Sequence, residues 1–116
     1  MLLVDDNVDA ASNLAALLRL SGHEVRVAHD GETALRLHRE APAEVVLLDI
    51  GMPGMDGYET ARRLRAQGPA GLRIVALTGY GAEADRVRAR AAGFDDHLTK
   101  PVDTRALEKA LAPERS

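Results

Sequence analysis

The sequence has no cysteine and no tryptophan, and its aromatic residues are two tyrosines and one phenylalanine in 116 residues. Without cysteine there are no disulfides and no thiolate metal sites. With so few rings, the core must be filled by Leu, Val, Ile and Ala. No apolar run approaches the roughly 20 residues that a membrane span requires. The formal net charge is -3, so no general attraction to nucleic acid is expected. Met1 leads directly into Leu2-Leu3-Val4 and then into acid, which is not the pattern of a secretory leader. A cytoplasmic protein with no membrane insertion is expected.

What is present is a globular composition, 46% hydrophobic and 28% charged, enough for one domain over 1–116 with one core. Its centre is Val45-Val46-Leu47-Leu48-Asp49-Ile50. Four apolar residues in a row describe a strand buried on both faces. An unpaired carboxylate cannot lie inside such a strand. Asp49 is therefore expected at its tip, where Gly51, Pro53, Gly54 and Gly57 signal a loop.

The same logic runs along the chain. Leu2-Leu3-Val4 is a second buried strand, with Asp5, Asp6 and Asn7 at its exit. A helix over 8–20 places Ala11, Leu14, Leu17 and Leu18 on one face and stops at Ser21-Gly22. Residues 24–28 alternate polar and apolar, as an edge strand does. A helix over 32–40 ends before Pro42. A third helix, 56–67, carries Tyr58, Ala61 and Leu64, and Asp56 is a candidate N-cap. Residues 72–77 form a third buried strand that delivers Thr78. A fourth helix, 82–92, turns Ala84, Val87 and Ala91 inward and ends at Gly93. Residues 95–99 are polar enough for the other edge, and Lys100-Pro101 closes them. A final helix, 103–112, buries Leu107, Ala110 and Leu111, with Asp103 as N-cap.

Strands alternating with helices argue a parallel sheet covered on both faces. The wholly apolar strands belong in the middle and the mixed ones at the edges. That gives the order 2-1-3-4-5, a flavodoxin-like doubly wound (βα)5 fold of α/β class. Right-handed crossovers put every strand's C-terminal end on one edge. Asp5, Asp6, Asp49, Thr78 and Lys100 collect there. Three close carboxylates repel one another, and a hard divalent cation relieves them through oxygen ligands. A lysine and a hydroxyl suit phosphoryl oxygens. The chemistry expected is phosphoryl transfer with Asp49 as nucleophile.

The stretches Asp5-Asp6, Leu47 through Gly57, Thr78-Gly79 and Leu98-Thr99-Lys100-Pro101 together resemble the receiver domain of two-component response regulators, over essentially the whole length. The wording Asp49-Ile50-Gly51 and Thr78-Gly79-Tyr80-Gly81 is similar to receivers at the C-terminus of hybrid sensor histidine kinases, as in an excised domain. The resemblance implies that Asp49 accepts a phosphoryl group from a phosphohistidine on a histidine kinase or histidine phosphotransfer domain. It implies Mg²⁺ as cofactor, with Mn²⁺ as substitute, held directly by Asp6, Asp49 and the Gly51 carbonyl and through water by Asp5. Thr78 and Lys100 contact the phosphoryl oxygens, and the Lys100–Pro101 bond is cis. The result is a phosphorelay acceptor with autophosphatase activity rather than an independent enzyme. Phosphorylation switches the face made by the fourth helix, the fifth strand and the final helix. One position departs from the pattern: His97 stands where many receivers carry Tyr or Phe, so the usual aromatic partner of Thr78 in the switch is replaced. The alternatives are an aspartyl-phosphate phosphatase of haloacid-dehalogenase type, and a non-phosphorylated pseudo-receiver acting as a binding module.

Elsewhere the plainer readings apply. Asp5-Asp6-Asn7 could cap the first helix. Asp95 and Asp96 belong to a solvated edge. His23, His29 and His38 are scattered without metal spacing. Arg62, Arg63 and Arg65, like Arg86, Arg88 and Arg90, form solvated faces.

Overall fold

Side chains alternate across a strand, so a continuous apolar run feeds two cores at once. In the computed structural model, which describes residues 1–50, 57–78, 90–100 and 102–111, the three buried strands do this. In β1 (Leu2–Val4), Leu2 and Val4 join one apolar cluster and Leu3 the other. In β3 (Val45–Asp49), Val46 and Leu48 oppose Leu47, and in β4 (Arg73–Thr78), Ile74 and Ala76 oppose Val75 and Leu77. All of these side chains are fully buried, each worth about 2 kcal/mol for a large aliphatic.

The edge strands β2 (Arg26–Ala28) and β5 (Asp96–Thr99) are short. The sheet is parallel in the order β2-β1-β3-β4-β5, as hydropathy predicted. On one face lie α2 (Gly31–Glu40) and α3 (Gly57–Gln67), which contribute Ala34, Leu35, Tyr58, Ala61 and Leu64. Tyr58 stands edge-on to Phe94 with ring centroids 6.3 Å apart. On the other face lie α1 (Val8–Leu20) and the C-terminal helix Thr104–Leu111, which contribute Ala11, Ala15, Leu18, Leu107 and Ala110. Among the described residues no helix is long and apolar enough to cross a membrane.

Several boundaries and faces differ from expectation. β2 begins at Arg26 rather than 24, because its ladder with β1 starts at the Leu2–Arg26 pair. Asp95 lies outside β5, since its carboxylate accepts from the Ile74 N–H at 2.7 Å. Leu17 is exposed and Ala15 takes its place in the stripe of α1. Ala91 is exposed and Ala92 is buried. The fourth helix is described only at residues 90–92, ended by Gly93 at φ +103; Ala84 and Val87 lie outside the described residues, as does the Leu111 side chain.

Helices run back against the strands, so their C-terminal carbonyls gather at the sheet's N-terminal edge. Arginines meet them there. Arg26 donates to the carbonyls of Leu37 and Ala41 at the end of α2, and Arg73 to that of Ala110. Arg65 is not part of a solvated face. It is half-buried and donates to the carbonyls of Leu72 and Gly93 and to the Asp95 carboxylate. Nor is His38 a stray histidine. It is buried in the stripe Gly31, Ala34, Leu35, His38. Its Nδ1 accepts from the Ala43 N–H at 3.1 Å, and its Nε2 lies 2.7 Å from the Gly68 carbonyl. An acceptor at Nδ1 and a carbonyl at Nε2 define the neutral Nε2–H tautomer.

Candidate functional site

The pairing register builds the opposite edge. Val4 is paired with Ala28 on one side and Leu48 on the other. The next residue on each strand is Asp5, His29 and Asp49. On the far side Asp49 pairs with Leu77 and Thr78 with Thr99, so Lys100 follows directly. Residues scattered over nearly a hundred positions become neighbours because each sits at or just past a strand end.

Asp5 and Asp49 are buried and Asp6 is exposed, and one oxygen from each lies within 4.8 Å of the others. The Lys100 ammonium donates to Asp5 Oδ2 at 3.0 Å and to Asp49 Oδ2 at 3.3 Å. Burial pulls the Lys100 ammonium toward neutrality, but its hydrogen bond to Asp5 and the charges of Asp49 and Asp5 outweigh it and hold its pKa above the ordinary lysine value. Among the described residues, one cation thus stands beside three clustered acids. This all-oxygen, electron-rich set fits a hard divalent cation such as Mg²⁺.

The acids are not spent on capping. Asn7 caps α1, its side chain accepting from the Ala10 N–H at 3.0 Å. Asp5 Oδ1 accepts from the Asn7 N–H at 3.0 Å, which turns the chain out of β1. His29 Nδ1 donates to the Asp5 carbonyl at 2.9 Å. Of the three residues read as possible caps, Asn7 alone takes that part, and sequence reasoning missed His29. The available signal was positional: His29 is the residue after β2, as Asp5 is after β1.

Thr78 is buried at the end of β4, its hydroxyl 3.4 Å from the Leu98 carbonyl, and its own carbonyl accepts from the Lys100 N–H at 2.9 Å. His97 is half-buried on the edge strand, with its N–H bonded to Asp96 Oδ1 at 2.8 Å. Asp103 caps the C-terminal helix by accepting from the Arg105 N–H. Gly51, Asp56, Tyr80 and Pro101 lie outside the described residues, and with them the expected carbonyl ligand and the cis Lys100–Pro101 bond.

The model of the response regulator receiver domain matches residues 1–112. The first curated relatives it matches are longer, and the chain spans 46% of their length. Three solved structures share its shape. The receiver domain of the sensor histidine kinase PA1611 from Pseudomonas aeruginosa, with magnesium coordinated in its active-site cleft, is 34% identical at a TM-score of 0.84, covering 93% of this chain and 89% of that one. A response regulator from Burkholderia pseudomallei, with a phosphorylated aspartic acid and a calcium ion, is 32% identical at 0.88, covering 96% and 65%. The receiver domain of Ssk1 from Saccharomyces cerevisiae, solved with the histidine phosphotransfer protein Ypd1, is 30% identical at 0.84, covering 93% and 82%.

Proposed function

The chain belongs to the response regulator receiver domain family, and from that premise we propose that it serves phosphorelay signalling with Asp49 as its phosphoryl acceptor. The observation that carries this is the Asp5–Lys100–Asp49 bridge beside exposed Asp6. Asp49 attacks the phosphorus of a phosphohistidine on a histidine kinase or histidine phosphotransfer domain. An oxygen–phosphorus bond forms, the phosphorus–nitrogen bond breaks, and the imidazole leaves with a proton. Asp6 and Asp49 would hold Mg²⁺ (or Mn²⁺ in its place), with Asp5 acting through water. Such a cation would supply neutralisation of the charge on the transferred phosphoryl oxygens. Lys100 exchanges its carboxylate contact for a phosphoryl oxygen, and Thr78 turns its hydroxyl from the Leu98 carbonyl to another.

Movement of Thr78 vacates space beside β5, where His97 stands half-buried. An imidazole is smaller and more polar than a phenol, so it rewards inward burial less. The switch at this edge is therefore weaker, biasing an equilibrium between two arrangements of that face. NMR shifts of β5 amides on adding beryllofluoride and Mg²⁺ should be smaller in the wild type than in His97→Tyr, and equal shifts would make His97 a passive surface residue.

The decisive experiment is incubation with acetyl phosphate and Mg²⁺. A stoichiometric adduct, stable to acid, labile to base and absent from Asp49→Asn, is the expected result. Steady turnover would indicate a phosphatase, and no adduct a binding module.

A further inference from the structure

Gly57 opens α3 and is buried. A methyl group on its α-carbon would stand 2.4 Å from Ile50 Cα, 2.7 Å from the Asp49 carbonyl oxygen and 3.0 Å from Ile50 Cβ. Carbon atoms in ordinary contact lie about 3.5–4.0 Å apart. The atoms in the way are main chain and a β-carbon, which cannot swing aside as a side-chain end can. Of the other described glycines, Gly22 and Gly71 have nothing within 4 Å of that position, Gly68 meets only Ala70 N at 3.8 Å, and Gly93 meets Arg65 Cγ at 3.0 Å, an atom of a flexible side chain and not of the main chain.

Both sides of this contact are pinned. α3 is held to the sheet by Tyr58, Ala61 and Leu64, all buried in one cluster. Retreat of the helix would open a void beneath them, and close-packed interiors resist that. On the strand side, Asp49 pairs with Leu77, and the Ile50 N–H donates to the Leu77 carbonyl at 3.2 Å. Space for a methyl group must therefore come largely from the peptide that joins Asp49 to Ile50. That peptide aims the Asp49 carboxylate.

We propose that Gly57 is a positioning residue for phosphoryl acceptance: its bare α-carbon lets α3 rest on the Asp49–Ile50 peptide and so fixes the Asp49 carboxylate beside Lys100, Asp5 and Asp6. The inference rests on the assignment of Asp49 as acceptor. Misplacing a reacting group by about 1 Å can lower a rate about a hundredfold.

The test compares ¹⁵N-labelled wild type, Gly57→Ala and the control Gly22→Ala, first without metal, then titrated with Mg²⁺, then with acetyl phosphate. Wild type that neither binds Mg²⁺ nor forms an adduct removes the assignment of Asp49. The metal-free amide shifts would still report on the contact itself. Without metal, the Asp49, Ile50 and Leu77 amides should move in Gly57→Ala and stay in place in Gly22→Ala. Mg²⁺ affinity should fall about tenfold or more in Gly57→Ala, the scale seen when support of a ligand is lost, and the phosphorylation rate should fall with it. Gly22 sits at φ +93, so Gly22→Ala should lower the melting temperature through strain with Mg²⁺ affinity retained.

Gly57→Ala/Ile50→Gly removes one clashing atom and loosens the strand. It should bind Mg²⁺ with an affinity between those of Gly57→Ala and Ile50→Gly, the non-additivity expected of residues in contact. If Gly57→Ala does not fold, the double variant carries the comparison with Ile50→Gly. Affinity equal to that of Ile50→Gly would then make Gly57 a residue of stability alone and overturn the proposal. So would a folded Gly57→Ala with the Mg²⁺ affinity and phosphorylation rate of Gly22→Ala, whatever its melting temperature.

Discussion

The two edges of the sheet use charge in opposite ways. At the N-terminal edge Arg26, Arg65 and Arg73 each reach backbone carbonyls, and Asp95 answers Arg65 while accepting from Ile74. Charge there is matched to helix carbonyls, which carry the negative end of the dipole. At the C-terminal edge three acids cluster, and among the described residues Lys100 bridges two of them, Asp5 and Asp49. Their repulsion is only partly relieved. A matched edge is finished and inert, whereas an edge left short of positive charge has capacity for a cation and a phosphoryl group. Side-chain type does not separate stability from function here; the local balance does.

The comparison breaks most sharply at Asp49. Asp49→Asn should abolish adduct formation from acetyl phosphate and, in metal-free buffer, stabilise the fold by about 1 kcal/mol by removing one crowded charge. A melting midpoint that is unchanged or lower would refute the crowding. At the other edge, His38→Ala should cost about 3 kcal/mol, from a cavity and two lost hydrogen bonds, with Mg²⁺ affinity unchanged by titration. A weakened Mg²⁺ response would mean the edges are coupled.

A smaller effect concerns pH. The Lys100 pKa is raised in the fold, so its contribution is complete below the ordinary lysine value of 10.5 and is lost as pH rises through the folded value. In metal-free melts, wild type should lose stability relative to Lys100→Met only in strong alkali. Convergence of the two below pH 9 would contradict the bridge. Smallest is the cap of α2, where the Thr33 N–H and hydroxyl hold the Asp30 carboxyl below its usual range. Asp30→Ala should cost about 1 kcal/mol. Because that pKa is depressed, the difference is present above the ordinary 3.8 and should vanish as pH falls through the folded value.

The strand order and the site's acids were legible because each follows from hydropathy alone. A run apolar at every position must be central, and an acid that ends it must lie at its tip. Register then did the rest. Arg65 was not legible. Its partners Gly93 and Asp95 lie 28 and 30 positions away, and such contacts leave no period in the sequence. It looked like its exposed neighbours Arg62 and Arg63. His38 was legible in principle, since positions 31, 34, 35 and 38 follow the helical stripe. The reading of Leu17 failed because four apolar positions were assigned to a face narrower than they span.

The Lys100–Asp5 bond joins positions 95 apart, so the site doubles as a record of assembly. Ribosomes deliver the N-terminal end first, and the early strands emerge long before β5. A nascent chain that has released Asp5 and Asp49 still lacks the ammonium that draws them together. The cluster is complete only when the last strand docks. Completion of the site is thereby tied to the emergence of β5: a chain cut short before Lys100 would carry the proposed acceptor and two further acids, yet lack the cation that binds β1 to β5.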